Sequence, residues 1–316
     1  LRYFVAIAEQ GSFSRAAALL HVAQPALSLH VRNMETDLRV QLMHRSPKGV
    51  EPTEAGAILL RNARIILDQL AATEEEIRGR ESDPSGEVRL GLPGTVSEIL
   101  SVPLITATHL RYPRITIRIA EAMSGFVLEW MREARIDLAI LYRDVSDHGI
   151  ETVRLLEEEL FFFGPAGDGA QPDLPPPGEA VSFAQAAGLP LILPSPSHGL
   201  RELLARQALA ADVALNTVID IDSYGNIKEL VRNGFGYSIL PANAITREVQ
   251  AGELRRWSIV PAIRRSVHLA HSTERPMTNA VAAIQALAGE VLRDLVSTGR
   301  WAGARACELP AGEDTA

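Results

Sequence analysis

Between Ser14 and Leu20 the apolar residues Ala16, Ala17, Leu19 and Leu20 recur at helical spacing, and Ser12 or Ser14 can cap the start by accepting a backbone N–H. This predicts a short helix. His21-Val22-Ala23 leaves room for only a tight turn before Pro25, a residue suited to a first helical position. Over 24–42, Leu27, Val31, Met34 and Leu38 repeat every three or four residues, so a second helix follows at once. Gln24, Ser28, His30 and Arg32 then point away from its apolar face. Arg45-Ser46-Pro47-Lys48-Gly49-Val50 reads as a small hairpin, and Thr53 opens another helix. From Gly56 to Ile77 the positions Leu59, Ala63, Ile66, Leu70, Thr73 and Ile77 keep heptad spacing. So narrow a stripe on a long helix asks for a second copy of the chain; the alternative is a helix packed lengthwise on the rest of the molecule.

Residues 79–87 (GRESDPSGE) are polar and rich in turn formers, which predicts a hinge. Beyond it, apolar runs at 88–92, 115–120, 137–141, 190–193, 216–220 and 236–240 alternate with helical stretches near 97–110, 125–134, 198–211 and 223–233. Strand, helix, strand predicts parallel sheets. The segment 152–164 looks like a pair of strands with no helix between them, which carries the chain from one lobe to another. A second crossing near 254–271, followed by an amphipathic helix over 277–296, returns it. Pro and Gly dominate 165–179, an exposed loop. The expected division is therefore 1–56, a linker and dimerisation helix 57–79, a hinge 80–86, and a two-lobed domain 87–300. Lobe I takes 87–160 and 266–296, lobe II takes 161–265, and 301–316 is expected to be a disordered tail.

Charge changes this picture. The net charge of −8 would argue against a nucleic-acid partner if it were spread evenly, but residues 1–66 hold eight Lys/Arg against five Asp/Glu. The basic excess sits on the helical end, where a helix entering the major groove offers its N-terminal side chains to base edges. Gln24 can bridge adenine and Ser28 can reach bases or phosphates, while Arg45 and Lys48 would anchor phosphates. The DNA-facing set is Ser14, Gln24, Pro25, Ser28, His30, Arg32, Arg45 and Lys48; the alternative is a solvated helical hairpin within a larger fold. The lone Cys307 permits neither a disulfide framework nor a thiolate metal site. With no apolar run of ~18 residues and no leader in the sequence, a cytoplasmic protein with no membrane partner is expected. The chain opens at Leu1 with no Met, so trimmed residues are expected before it.

Phe4-Val5-Ala6-Ile7-Ala8-Glu9, Gly11-Ser12-Phe13, Ala16-Ala17-Ala18-Leu19-Leu20, Gln24-Pro25-Ala26-Leu27-Ser28, Leu42 to Arg45 and Pro52-Thr53-Glu54-Ala55-Gly56 resemble the LysR-type transcriptional regulators. Within that family the chain looks most like the nitrogen-assimilation-control type, on His21-Val22-Ala23-Gln24 and Glu159-Leu160-Phe161-Phe162-Phe163-Gly164-Pro165. The resemblance implies an α/β fold: an N-terminal winged helix-turn-helix plus a long linker helix, then a two-lobed, periplasmic-binding-protein-like (type 2) effector domain. It implies double-stranded DNA and a small-molecule inducer as partners, with RNA polymerase a further one, and a homodimer or homotetramer joined through Leu59, Ala63, Ile66, Leu70 and Ile77. One departure stands out. Leu29 occupies a recognition-helix position where many relatives carry Arg, Lys or Gln, which puts a direct contact there in doubt.

In open α/β sheets ligands settle beyond the C-terminal strand ends, where helix N-termini supply N–H groups. Thr95 and Glu98 match a capping box, and Thr95, Val96 and Ser97 form one wall of the expected effector site; capping alone is the alternative. Facing candidates, by this rule and by position in the family pattern, are Met123, Ser124, Tyr142, Pro194, Ser195, His198, Asp222 and Ser223. The helix N-terminus favours an anionic inducer, a small carboxylate. No converging set of titratable groups suggests an enzyme: Glu157-Glu158-Glu159 reads as a solvated run, and His268 and His271 fall on opposite strand faces. No metal and no cofactor is expected. A solute-binding module without DNA function is the competing reading, and residues 1–56 speak against it.

Overall fold

The computed structural model describes residues 1–47, 49–78, 83–145, 149–167 and 174–307. Helix α1 (Arg2–Gln10) precedes α2 (Phe13–Leu20) and α3 (Gln24–Leu38). The Ser12 hydroxyl accepts the Arg15 N–H at 3.4 Å to cap α2, and His21 ends that helix in left-handed backbone. Helix α3 stops at Leu38 rather than near 42. Arg39 turns left-handed, and Glu35 accepts the N–H groups of Leu42 and Met43 at 2.9 and 3.2 Å, which starts the hairpin instead. The hairpin pairs β1 (Met43–Ser46) with β2 (Gly49–Pro52). It is tied back to the first helical turn where Val50 donates to the Gly11 carbonyl at 2.9 Å; a Cβ on Gly49, at φ +139°, would lie 2.8 Å from that same oxygen. Phe4, Ile7, Phe13, Ala16, Leu27, Val31 and Leu42 fill the small core beneath.

Helix α4 (Glu54–Arg78) opens at Thr53, whose hydroxyl accepts the Gly56 N–H at 3.0 Å. Its first half is bound within the protomer. Ala63 is fully buried and Leu59 packs on the α1 to α3 core, so these two positions are not part of a free seam as the heptad suggested: α1 needs cover, and α4 supplies it. Ile66, Leu70 and Ile77 stay exposed, joined by Ile58. Arg64 is buried between Glu9 (3.1 Å) and the Glu133 carbonyl (3.1 Å). One turn on, Asp68 meets Arg275 at 2.5 Å in a cluster completed by Arg89 and Asp137.

The larger part runs β3 (Gly86–Leu92), α5 (Gly94–Arg111), β4 (Ile115–Glu121), α6 (Ser124–Arg132), β5 (Leu138–Leu141) and β6 (Ile150–Pro165). It continues β7 (Ala180–Ser182), α7 (Phe183–Gly188), β8 (Leu191–Leu193), α8 (Gly199–Ala210), β9 (Thr217–Asp220), α9 (Tyr224–Arg232), β10 (Ser238–Pro241) and α10 (Ala242–Gln250). The chain then forms β11 (Leu254–Val260), β12 (Arg264–Ser272), α11 (Asn279–Ser297) and β13 (Ala304–Ala306). Strands β4, β3 and β5 are parallel, as the alternation of strand and helix predicts. The centre is not: β12 runs antiparallel to both β5 and β6, and β10 and β11 run antiparallel to β6. The reason is the crossing. A chain that leaves one lobe and returns lays its two crossing strands side by side in opposite directions.

The expected pair of strands over 152–164 is one continuous strand, β6. Its first part pairs with β12 and its last part with β10 and β11, so a single strand belongs to both lobes. The tail also departs from expectation. Trp301 is buried in the lobe I core and β13 pairs with β6, because that indole closes the end of the sheet; 308–316 lie outside the described residues, as do 79–82 of the polar stretch before β3. One core sits in lobe I around Leu90, Leu138, Ile284 and Trp301, another in lobe II around Phe162, Ile192, Leu240 and Trp257. No helix among the described residues is long and apolar enough to cross a membrane.

Candidate nucleic-acid interface and interlobe polar centre

Helix α3 buries Leu27 and Val31 on the core and turns Gln24, Pro25 and Arg32 to solvent. Ser28 is half-buried and its hydroxyl accepts from the Gln24 amide at 3.3 Å, so these two side chains share one edge of the helix. Ser14 is exposed on α2, and Arg45 on β1 lies with its guanidinium 4.7 Å from the Phe13 ring centroid. His30 is placed differently from the rest. Its ring packs edge-on against Tyr3 at 5.3 Å, on the α1 side of the helix. Lys48 lies outside the described residues. The outcome is an exposed edge on α3 and a hairpin tied to the α1–α2 turn, with Arg45 held over Phe13.

Between the lobes, side chains from several elements converge on Arg265 of β12. Its guanidinium is 3 % exposed and pairs with Glu158 of β6 at 2.5 Å. It also donates to the Thr95 hydroxyl at 3.3 Å and lies 3.5 Å from the Tyr142 ring centroid. Thr95 and Tyr142 are themselves hydrogen bonded. Glu158 is fully buried and takes a second bond from the Trp301 indole at 3.0 Å. Burial works against the charge on Arg265, but Glu158 and the neighbouring phenols outweigh it and hold the guanidinium firmly protonated. The same burial pushes the Tyr142 and Tyr224 phenols up, so both remain neutral donors. The Nη1 of Arg265 has no hydrogen-bond partner, and the charge of the guanidinium acts on the Tyr224 phenol of lobe II, which it favours in the ionised form against the effect of burial.

Two helices begin at this centre. Thr95 lies in the first turn of α5, and His198 is the N-cap of α8, its Nδ1 accepting the Leu200 N–H at 3.1 Å and its Nε2 3.4 Å from the Tyr224 hydroxyl. The lobes also touch at Ser124, whose hydroxyl would lie 3.2 Å from a Cβ on Gly199; the missing side chain admits it. Asn243 of α10 reaches across to the Thr95 carbonyl at 3.3 Å.

Burial first and Arg265 next depress the His198 pKa, so the imidazole is neutral in the fold. A depressed folded value means that its stabilising contribution is full above the unfolded pKa of about 6.5 and is lost as pH falls through the folded value. We expect His198→Asn, which keeps a neutral N-cap acceptor, to flatten the loss of thermal stability between about pH 7 and 5. Melting temperatures across that range check it; parallel profiles for the two proteins would contradict it.

The sequence-derived candidates thus separate. Thr95, Tyr142 and His198 surround Arg265, with Ser124 at the lobe contact and Met123 half-buried as the N-cap of α6. Val96 is buried in the lobe I core, and Ser97 bonds Ser101 along α5 at 3.1 Å, so neither side chain reaches Arg265. The expected Thr95–Glu98 capping box is absent, because α5 starts two residues earlier, at Gly94, with Pro93 as N-cap. Ser195 donates to Asp222 through both N–H and hydroxyl (2.9 and 2.8 Å), which lowers the Asp222 pKa, and Ser223 caps α9; these sit at the exposed lobe II rim, with Pro194 buried behind. Arg265, Glu158, Tyr224 and Asn243 were not anticipated. Strand alternation held a signal for Glu158: in a run of three, the middle residue must face opposite to its neighbours. A groove of ≈1220 Å³ runs along α5, α10 and α11, reaching Thr95 and Asn243 at one end and carrying Val102 and Leu110 on its wall.

Family models match along most of the chain: the bacterial regulatory helix-turn-helix protein, lysR family, over 1–57, and the LysR substrate binding domain over 81–293. The chain is 31% identical over 245 residues to the nitrogen assimilation regulatory protein nac of Escherichia coli (strain K12), covering 77% of this chain and 78% of the relative. It is 28% identical over 279 residues to the DNA-binding transcriptional dual regulator OxyR of the same organism, covering 88% and 90%. A full-length OxyR variant of Pseudomonas aeruginosa superposes with a TM-score of 0.77 at 22% identity, covering 92% of this chain and 93% of that one. Full-length CbnR complexed with its target DNA superposes with a TM-score of 0.54 at 22% identity, covering 92% and 98%.

Proposed function

The chain belongs to the LysR family of DNA-binding transcriptional regulators with an effector-binding domain, and from that premise we propose that it answers to a small carboxylate held between its lobes by Arg265. Residues 1–56 read DNA, α4 joins two copies through Ile66, Leu70 and Ile77, and 87–300 take the effector. The observation that carries the ligand class is the free Nη1 of a buried guanidinium whose other edge is already neutralised by Glu158. An anion there gains a charge-assisted hydrogen bond, hydroxyl donors from Thr95, Tyr142 and Tyr224, and the positive ends of α5 and α8. Because these groups come from both lobes, a bound ligand favours one lobe arrangement, and with it one spacing of the paired DNA-reading helices.

Calorimetric titration of the full chain against small carboxylates and their amides tests this. At least one carboxylate should bind better than its amide, and Arg265→Met should abolish that preference. Binding of cations alone, or a carboxylate bound equally by the variant, overturns it.

A further inference from the structure

On a helical wheel of α3, with the buried Leu27 and Val31 at one pole, the opposite pole carries Pro25, Leu29, Arg32 and Thr36, all exposed. Leu29 is the one large apolar side chain among them and is 57 % exposed. It stands one turn beyond Pro25 and next to Ser28, in the part of the helix that reaches deepest when an N-terminal helix end enters a major groove. A leucine there can make no hydrogen bond to a base edge. The only apolar group a base pair presents in the major groove is the C5 methyl of thymine.

We propose that Leu29 is a specificity-determining residue that recognises a thymine methyl in each half-site. The inference rests on α3 being the helix that enters the groove. Gln24, Ser28 and Arg32 follow one another at four-residue spacing in a single stripe beside Leu29, so the leucine borders a row of groups that can read neighbouring bases and hold the backbone. Water leaves both the isobutyl group and the methyl when they meet, a gain available at thymine and absent at cytosine or uracil. A polar residue at this position would add hydrogen bonds or charge; leucine replaces them with a test for one carbon atom.

The experiment uses the full-length protein. Duplexes selected by it from random-sequence DNA are resynthesised with deoxyuridine in place of each half-site thymine in turn, and Kd is measured by fluorescence anisotropy at fixed salt. One position should respond, with affinity falling about fourfold per methyl removed, the factor expected for one buried methyl-sized group. Leu29→Ala, a surface change that leaves the fold intact, should bind thymine and uracil duplexes alike while keeping the salt slope of the wild type. Gln24→Ala serves as the control for groove entry and should keep the thymine–uracil difference while changing preference at another base. Wild-type protein indifferent to every uracil swap overturns the proposal for Leu29, as does a Leu29→Ala variant with full methyl sensitivity. If Gln24→Ala also leaves site choice unchanged, the failure lies instead with α3 as the reading helix.

Discussion

Glu158→Leu, with Arg265 kept, is expected to destabilise the chain by about 3–5 kcal/mol, the cost of stranding a buried charge. The carboxylate is fully buried, it is the counter-ion at 2.5 Å from a guanidinium that is itself 3 % exposed, and it accepts the Trp301 indole N–H. Removing it leaves a cation without its partner and an indole donor without an acceptor. Pairing the change with Arg265→Leu should recover most of the loss, since a well-packed apolar pair of similar volume is often no less stable than a buried ion pair. Urea denaturation of the full chain, single variants against double, measures the coupling. A double variant as unstable as Glu158→Leu alone would show that the fold needs the carboxylate for something other than neutralising Arg265.

The second large effect is expected at the contact between α4 and lobe I. Arg275 donates to Asp68 of α4, to Asp137 and to the Ile136 carbonyl at 2.5 to 2.8 Å, and Arg89 donates to Asp137 through side chain and backbone alike. Two cations and two anions balance here with little exposure. Arg275→Leu leaves both carboxylates facing one another with Arg89 alone between them, and should cost about 3 kcal/mol. Because Asp68 is the member contributed by α4, the loss falls on docking of that helix. Amide exchange around residues 64–70 should speed by about a hundredfold, the factor equivalent to that free energy. Unchanged exchange in α4, with loss of protection confined to β3 and β5, would mean that the cluster stabilises lobe I without holding the helix.

The DNA-reading end was legible in the sequence because its determinants are local. Ser12, Pro25, Gly49 and Thr53 each fix a cap or a turn within a few residues, and Leu27 and Val31 mark the buried face of their own helix. The lobes were legible only as alternating elements. Their central strands run antiparallel because of where the chain returns, and no window of sequence records that. Helix α10 escaped notice because Pro241 caps it directly at the end of a buried strand, leaving no polar break between the two. The interlobe centre was half visible. Thr95 and His198 stand at helix starts, where a rule points, whereas Arg265 and Glu158 lie within strands amid other charges (Arg264, Glu157 and Glu159) that face outward. Which charge of such a run is buried follows from the register of β6 against β12, a tertiary fact. Leu59 and Ala63 show the converse: a heptad stripe cannot say whether its partner is another chain or the helix before it.

Strand β6 carries a consequence for anyone wishing to rebuild this molecule as a sensor. One unbroken backbone contributes hydrogen bonds to the sheet of each lobe, changing partners near Leu160. A graft that exchanges one lobe for a homologue's would have to splice in mid-strand and match pleat and register on both sides of the junction. Responsiveness to a new compound should therefore transfer only when both lobes travel together, with the seam placed before β3.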